Sequence, residues 1–524
     1  MSVKVSVVVP VYNPGPNMDD LIASVLDQSL PTTEYEAIFV DDGSTDGTGE
    51  KLDALAAEHE HIHVEHIPNS GWPGKPRNLG TDMATGEYVL YVDNDDWLGR
   101  EALERLYAMA TADDADIVIG KVVGHGKSVP KSLFKENRSG VTLEWEPLIG
   151  LLSPHKLFRK AFLTEHGIRF PEGKRRLEDH VFVMEAFFQT QKISILADYG
   201  CYHWVLRSEK GNASWARMEP VSYFGYLREV LDVVERHTEP GSRERERLLA
   251  HWYRGKCLWR LDGAVFLRRD EDFNREIYDE VRKVVQERIP PEVDRFLPFK
   301  LRIQSKLVRA DDLEGIYAMA RFEAAIGARV KVAEVNHAPD GTVDLVLEGK
   351  LAGGGQKLEY RRDGEKLRWF PPPPMRASLE GASLESTKSV SRGHAHVVLR
   401  SVADQTEVVL ASTYEIRHDP AGTDRIQPCV VARAKFDPKT ASAGQPLPPG
   451  EWQLVTTVRI GGFNGTTFTY RSQTKEEGGR TRAAPLTFNV LEDGTIEGAG
   501  FIRRHLSGRA PKLAGALRGA LRKA

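Results

Sequence analysis

Two groups of opposite charge sit close together near the N-terminus. "NSGWPGKPRNLG", residues 69–80, puts Lys75 and Arg77 among glycines and prolines, and "GEYVLYVDNDDW" then runs from a short apolar strand into Asp93, Asp95 and Asp96. A plain loop needs neither set. A ligand carrying a diphosphate and a divalent cation needs both. Asp93 and Asp95, two apart across Asn94, offer oxygen ligands suited to Mn2+ or Mg2+. Lys75 and Arg77 can take the remaining phosphate charge, Arg77 in bidentate fashion. Gly71 and Gly74 allow close backbone approach, while Pro73 and Pro76 stiffen the turn. An acidic turn after one strand is ordinarily just a solvated turn; the argument gains force when several strands end the same way.

Several do. "KVSVVVPVY" reads as a buried strand, "NMDDLIASVLDQSL" as a helix, and "YEAIFVDDGSTDGT" as a strand running into acidic turn residues. "GEKLDALAAEH" is helical, "IHVEHIPN" and "YVLYVDNDDW" are strands, "REALERLYAMATA" is a helix and "ADIVIGKVV" a strand. Alternating β and α units predict a parallel sheet covered on both faces, with ligands beyond the carboxyl ends of its strands. Asp41-Asp42, Asn69 and Asp93–Asp96 all fall there. From 217 to 328 the periodicity is helical, as in "RERERLLAHWYRGKCLWRL". Beyond it, segments such as "TVDLVLEGKL" and "EWQLVTTVRI" alternate apolar and polar residues between turns, which predicts an antiparallel β-sandwich-like domain.

The chain has 524 residues, 71 Lys+Arg, 75 Asp+Glu and a net charge of −4. The length predicts about three domains, and the charge balance gives no reason to expect nucleic acid. Cys201, Cys257 and Cys429 form neither a CxxC pair nor a disulfide framework, which suits a reducing cytoplasm. "VSVVVP" is too short for a signal h-region, and no segment approaches the ~20 apolar residues of a membrane span.

Taken together, "VVVPVYNPG", "VDDGSTDGT", "NSGWPGKPRNLG", "ATGEYVLYVDNDDW" and "RLEDHVF" resemble the family-2 glycosyltransferases, inverting enzymes of the GT-A fold that use nucleotide-sugar donors. The likeness covers residues 1–215. The "SG-x-PGKPRN" form, with "SLPTTEYE", "SPHKLFR" and the helices of 217–320, resembles more narrowly the wall teichoic acid enzymes that decorate poly(ribitol phosphate) with N-acetylglucosamine. The resemblance implies an α/β GT-A nucleotide-sugar-binding domain over 1–216, a helical linker domain over 217–328 and a β-rich C-terminal domain over 329–500; the residues of 501–524 read separately as a basic amphipathic tail. The resemblance further implies that Pro10, Tyr12, Asp41, Asn69 and Arg77 contact a UDP-sugar donor, with Lys75 beside them, and that Asp93 lies near the ribose and donor phosphate. Asp95 would ligate Mn2+ or Mg2+ with Asp93, Asp179 of the Glu178-Asp179 pair would be the catalytic base, and Arg207, with Asn212, would close over the donor. Chemistry points to the same base: an acceptor hydroxyl attacking the anomeric carbon must lose its proton to a carboxylate within hydrogen-bond reach. A plainer role for Glu178-Asp179 is an acidic helix N-terminus.

If the narrower likeness holds, the acceptor is an anionic glycopolymer. Arg254, Lys256 and Arg260 are then its candidate contacts, Lys256 and Arg260 sharing a helical stripe, with Lys156 nearer the pocket. His59, His61, His63 and His66 lie two or three apart, a possible metal-ligand spacing that a helix end and a sheet edge explain better. The tail "FIRRHLSGRAPKLAGALRGALRKA" carries basic residues and leucines at i,i+4; it suits peripheral contact with an anionic membrane surface, docking in a homo-oligomer, or a frayed end. The reading adopted is transfer from a UDP-sugar to a teichoic-acid-like polyol phosphate; the runner-up is transfer to a neutral capsular or exopolysaccharide, and a non-catalytic glycan-binding scaffold is disfavoured because metal, base and phosphate residues occur together.

Overall fold

The computed structural model describes residues 2–497 apart from 128, 131, 207–217, 354, 443, 472–485 and 494. Arg207, Asn212 and the C-terminal tail lie outside the described residues. The chain divides into two compact units: Met1–Arg260 with Arg269–Phe296, and Leu261–Arg268 with the chain from Leu297 onward.

The first unit is built on a nine-stranded sheet. Its first strand, β1 (Val5–Val11), is buried at every residue. A β-branched run with no polar face suits a strand covered on both sides. It pairs in parallel with β2 (Tyr35–Asp41) and β4 (Tyr88–Tyr91), while β3 (Ile62–His66) adds in parallel to β2. Helices α1 (Asp19–Leu26), α2 (Thr48–Glu58) and α3 (Gly74–Met83) make the crossovers. The parallel register brings the ends of β1, β2 and β4 to one edge.

The sheet is not parallel throughout. After β5 (Trp97–Leu98), helix α4 (Ala102–Ala112), β6 (Ile117–His125) and β7 (Arg138–Val141), the three-residue β8 (Leu157–Arg159) runs antiparallel between β4 and β6. A strand that short, with no alternation, leaves no trace in the periodicity. Helices α5 (Lys160–Glu165) and α6 (Glu178–Gln189) lead to β9 (Ile193–Val205), which pairs with β6 through register shifts around Lys121. Such an irregularity turns the far end of a strand, and here it presents Tyr202 and Trp204.

Helices α7 (Pro220–His237) and α8 (Arg243–Trp252) complete the N-terminal run of this unit. Glu219 caps α7 through the Val221 and Ser222 N–H groups, with Pro220 in the first turn, and Ser242 caps α8 through the Arg245 N–H. Past α8 the helix loosens into a π turn, Tyr253–Cys257, and then a 3-10 turn, Leu258–Leu261.

The second unit gathers helices Phe299–Arg309 and Leu313–Ala325 with an eight-stranded and a six-stranded sheet, antiparallel but for one short parallel pair. Strand Val343–Gly353 alternates buried and half-buried residues as a one-sided strand must. Phe436 of one sheet meets Phe488 of the other, ring centroids 5.6 Å apart. Among the described residues no helix is long and apolar enough to cross a membrane.

Candidate functional site

A cleft of about 670 Å3 opens at the strand ends of the first unit, lined by Pro10, Tyr12, Asp42, Asn69, Trp72, Arg77, Asp93, Asp95, Lys127, His155, Lys174, Glu178, Asp179 and Trp204 among others. On one wall the turns after β1 and β2 are laced together. The Thr45 N–H donates to Asn13 Oδ1 at 2.8 Å, the Asn13 N–H to Ser44 Oγ at 3.0 Å, and the Gly15 N–H to Asp46 Oδ2 at 3.0 Å. Tyr12 is left half exposed on this wall.

Asp42 rather than Asp41 reaches the cleft. Successive residues of an extended chain point to opposite faces. The Asp41 carboxylate turns away to accept from the Ser44 N–H at 3.0 Å and to pair with His66 at 2.9 Å. Asp42 accepts from the Ser70 N–H and hydroxyl at 2.7 and 3.0 Å, which ties the end of β2 to the 69–73 turn. The four histidines do not converge on one point: His66 pairs with Asp41 and Asp53, His63 lies 3.4 Å from Glu36, and His61 stands edge-on to Tyr35 with the His59 ring 5.9 Å away. They form no metal-ligating group among the described residues.

The 69–80 stretch is a turn only as far as Pro73. Helix α3 starts at Gly74, and Pro76 sits in its first turn, where its missing N–H costs no hydrogen bond. The glycines serve the fold here. A Cβ on Gly74 would stand 2.4 Å from the Pro171 carbonyl oxygen, so its close approach is to the protein's own backbone. The helix phase puts Lys75 on the exposed face, outside the cleft lining; the cleft lysines are Lys127 and Lys174. Arg77 points inward and is 4% exposed. Its Nη2 donates to Asp93 at 2.8 Å and its Nη1 to Glu178 at 3.3 Å. It is a tie between two carboxylates, with an edge on the cleft. Next to it, Asn78 exchanges hydrogen bonds with the Phe170 backbone at 2.9 Å each way and fixes the segment leading to α6.

At the end of β4, Asp93 is also 2.9 Å from His155 Nε2, and His155 stacks on Tyr202 with centroids 4.1 Å apart. Burial opposes ionisation of Asp93, but His155 and Arg77 outweigh it and hold the carboxyl far below its ordinary range. Asp96 is fully buried, accepting from the Tyr202 hydroxyl at 2.6 Å and the Val205 N–H at 2.8 Å. Burial pushes it up to about 7, with His155 opposing and Asp93 and Asp95 reinforcing the shift. Ligand atoms of Asp93, Asp96 and His155 lie within 4.8 Å of one another, while Asp95 lines the cleft beside Asp93. Carboxylates joined by one imidazole suit a divalent cation, Mn2+ more readily than Mg2+ because of the nitrogen. Asp96 and His155 join this corner only in three dimensions. His155 precedes a strand too short to recognise, and it lies 62 positions along the chain from Asp93.

Opposite stands the start of α6. Leu177, in the left-handed region at φ 64°, turns the chain so that Glu178 and Asp179 open the helix. Burial first, then Asp179, pushes Glu178 up to about 7 against the pull of Arg77. Asp179 accepts from the His180 N–H at 2.8 Å; burial raises it above its ordinary range, with Lys256 and Arg77 opposing.

The candidate acceptor cations separate. Lys156 is 0% exposed, so it cannot meet a polymer; its ammonium donates to the Ser153 carbonyl and lies 5.8 Å from the centre of the Phe187 ring. Burial lowers it to about 7, Asp179 pulling it the other way. It belongs to the floor beneath the carboxylates. Lys256 is half-buried; burial lowers it and Asp179 opposes the shift. Arg254 is exposed, and Arg260 packs over Tyr223 at 4.1 Å. Lys256 and Arg260 remain neighbours across the π turn, the Arg260 Nε–H donating to the Lys256 carbonyl at 3.0 Å.

Residues 6–189 match the family described as "Glycosyl transferase family 2", and residues 220–320 the family described as "Glycosyl transferase TarS linker domain". The chain is 33% identical over 339 residues to a poly(ribitol-phosphate) beta-glucosyltransferase of Bacillus spizizenii, covering 62% of this chain and 51% of that protein, so it spans about half the length of that relative. It is 31% identical over 238 residues to glycosyltransferase GlyG of Streptococcus pneumoniae, covering 41% of this chain and 77% of that one. Among solved structures, S. aureus TarS 1-349 in complex with UDP-GlcNAc is similar with a TM-score of 0.56 and 28% identity, over 71% of this chain and 99% of that one. With a nucleotide-sugar-type sheet, acidic strand ends and a matched linker domain in sequence, the chain belongs to glycosyltransferase family 2.

Proposed function

We propose that the protein transfers a sugar from a UDP-sugar to a hydroxyl of a teichoic-acid-like polyol-phosphate polymer, with inversion and with Asp179 as the base. The observation that carries the reading is one cleft holding Asp179 across from Asp93 and Asp95, with Lys127 and Lys174 on its walls. The name of the B. spizizenii relative and the ligand of the TarS structure support the acceptor and donor classes. Pro10, Tyr12, Asp42 and Asn69 form the wall for the nucleoside. Asp179 takes the proton of the attacking hydroxyl, and Lys127 and Lys174 offset charge growing on the departing diphosphate. A divalent cation held by Asp93 and Asp95, with Asp96 and His155 behind them, would supply further charge to that diphosphate when bound. His155 and Arg77 keep Asp93 ionised. The buried thiols of Cys201, Cys257 and Cys429 suit a reducing compartment, the cytoplasm.

The donor half is tested by UDP release from UDP-GlcNAc, UDP-glucose and GDP-mannose, with Mn2+ present and after chelation. The expected result is turnover of a UDP-sugar that stops on chelation and returns with Mn2+. Turnover indifferent to the chelator would remove the metal.

The pH dependence has a definite sign. A base works only when deprotonated, and burial raises Asp179, so kcat/KM falls as pH drops through a value above the ordinary carboxylate range. Lys256→Met removes a cation that favours the ionised form, so the acid limb is expected to move to higher pH. Superimposable profiles for the two proteins would detach Lys256 from the base.

A further inference from the structure

In the second unit, hairpin strands Glu359–Asp363 and Lys366–Phe370 place Arg361 directly opposite Arg368, and the neighbouring strand Arg425–Phe436 places Arg425 opposite Arg361 on its other side. Three arginines thus form a row across three adjacent strands. Like charges directly opposite one another destabilise a sheet unless neighbouring acids offset them. A fourth, Arg376, joins from the turn that follows. The guanidinium carbons of Arg376, Arg425 and Arg361 lie 4.3, 5.0 and 5.5 Å from the centre of the Phe370 ring. Beside them is a groove of about 460 Å3 lined by Arg361, Arg368, Phe370, Pro371 and Arg376, with Glu380 at its rim.

Acids hold three of the four: Arg361 pairs with Asp424 at 2.7 Å, Arg368 with Asp363 at 3.2 Å and Arg425 with Glu359 at 2.7 Å. These are partly exposed pairs, which water and competing anions exchange at little cost, about 0–1 kcal/mol each. Arg376 donates to the Pro371 carbonyl at 3.0 Å and has no carboxylate partner among the described residues. Planar guanidinium forks match phosphate oxygens two at a time. Stacking on Phe370 orders the forks before any ligand arrives, and the buried Tyr360–Trp369 pair beneath keeps the strand faces in phase.

We infer that this arginine groove is a second binding site, for the phosphodiester groups of the polymeric acceptor. The inference rests on the acceptor class proposed above. A polymer long enough to occupy both the groove and the cleft is held by both, and its effective concentration at the cleft rises without any change in the chemical step.

The test uses the full chain. KM and kcat are measured with a long poly(ribitol phosphate) and with a two-repeat fragment, for wild type, Arg361→Gln/Arg376→Gln and Arg361→Lys/Arg376→Lys. The glutamine variant is expected to raise KM for the long polymer at least about tenfold, leave kcat unchanged and abolish the advantage of long over short. The lysine variant, which keeps the charge but not the fork, should fall between. Arg361→Gln alone should melt close to wild type, because the pair with Asp424 that it gives up and the like-charge contact that it relieves are both largely exposed; a large fall in melting temperature would make the row structural and overturn the inference. Direct titration with inorganic polyphosphate separates the two claims. If polyphosphate binds wild type and binds the glutamine variant about tenfold more weakly while poly(ribitol phosphate) accepts no sugar, the anion site stands and the acceptor reading falls. If transfer proceeds and neither KM nor polyphosphate binding responds to the variant, the groove inference is overturned.

Discussion

Asp179→Asn is expected to lower transfer at least about 10²-fold, the usual loss when a positioned general base is removed. The exchange is nearly isosteric. The side-chain oxygen can still accept from the His180 N–H, so α6 keeps its start. What disappears is the group proposed to receive the acceptor proton. UDP-sugar affinity should stay near that of wild type, because the proposed donor wall of Lys127, Lys174, Asn69 and the β1 turn does not include Asp179. Kinetics should therefore show a fall in kcat with donor KM little changed. Normal turnover with intact donor affinity would remove Asp179 from the chemistry, and Glu178, already raised by burial, would be the next group to test.

Arg77→Leu should be the most damaging single change to the architecture of the site. The guanidinium is buried between Asp93 and Glu178. Removing one partner of a buried pair leaves charge without compensation and costs about 3–5 kcal/mol. The sign of its pH dependence follows from the same contact. With Arg77 present, Asp93 lies far below its ordinary range, so its stabilisation is present above the unfolded carboxylate pKa and is lost as pH falls through the folded one. Without Arg77, Asp93 and Glu178 bind protons more readily. The deficit of the variant relative to wild type should therefore be larger at pH 8 than at pH 5.5. Thermal melting of both proteins at the two values reads it directly. Equal melting temperatures at pH 8 would mean that Asp93 and Glu178 find other compensation.

Much of this site is legible from sequence, because the positions that matter follow long periodic segments. The seven buried residues of β1 announce a central strand, and the acidic residues after β2 and β4 then fall at one edge through parallel pairing. Glu178-Asp179 is visible as an acidic pair ahead of an apolar helix. Three things are not legible. Which of two adjacent aspartates turns inward depends on the phase of the turn, hence Asp42 in the cleft and Asp41 on His66. Whether a lysine near the pocket is exposed depends on the fold around it: Lys156 lies beneath the carboxylates, while Lys75 is exposed and its charge reaches Asp42. The corner of His155, Asp96 and Tyr202 is assembled across β8 and the irregular end of β9, where no periodic pattern marks a strand. In the second unit the arginine row is hidden for the same reason, since the partners facing Arg361 are set by register.

The central claim is the transfer itself. The most direct measurement incubates the purified chain with a radiolabelled UDP-sugar and Mn2+ in the presence of poly(ribitol phosphate) or, separately, of a neutral polysaccharide of similar length, then follows label in the polymer fraction against UDP released. The account predicts label in the poly(ribitol phosphate) fraction in proportion to UDP released, and none above background in the neutral polymer. Label in the neutral polysaccharide alone, or UDP release with no labelled polymer, would contradict it.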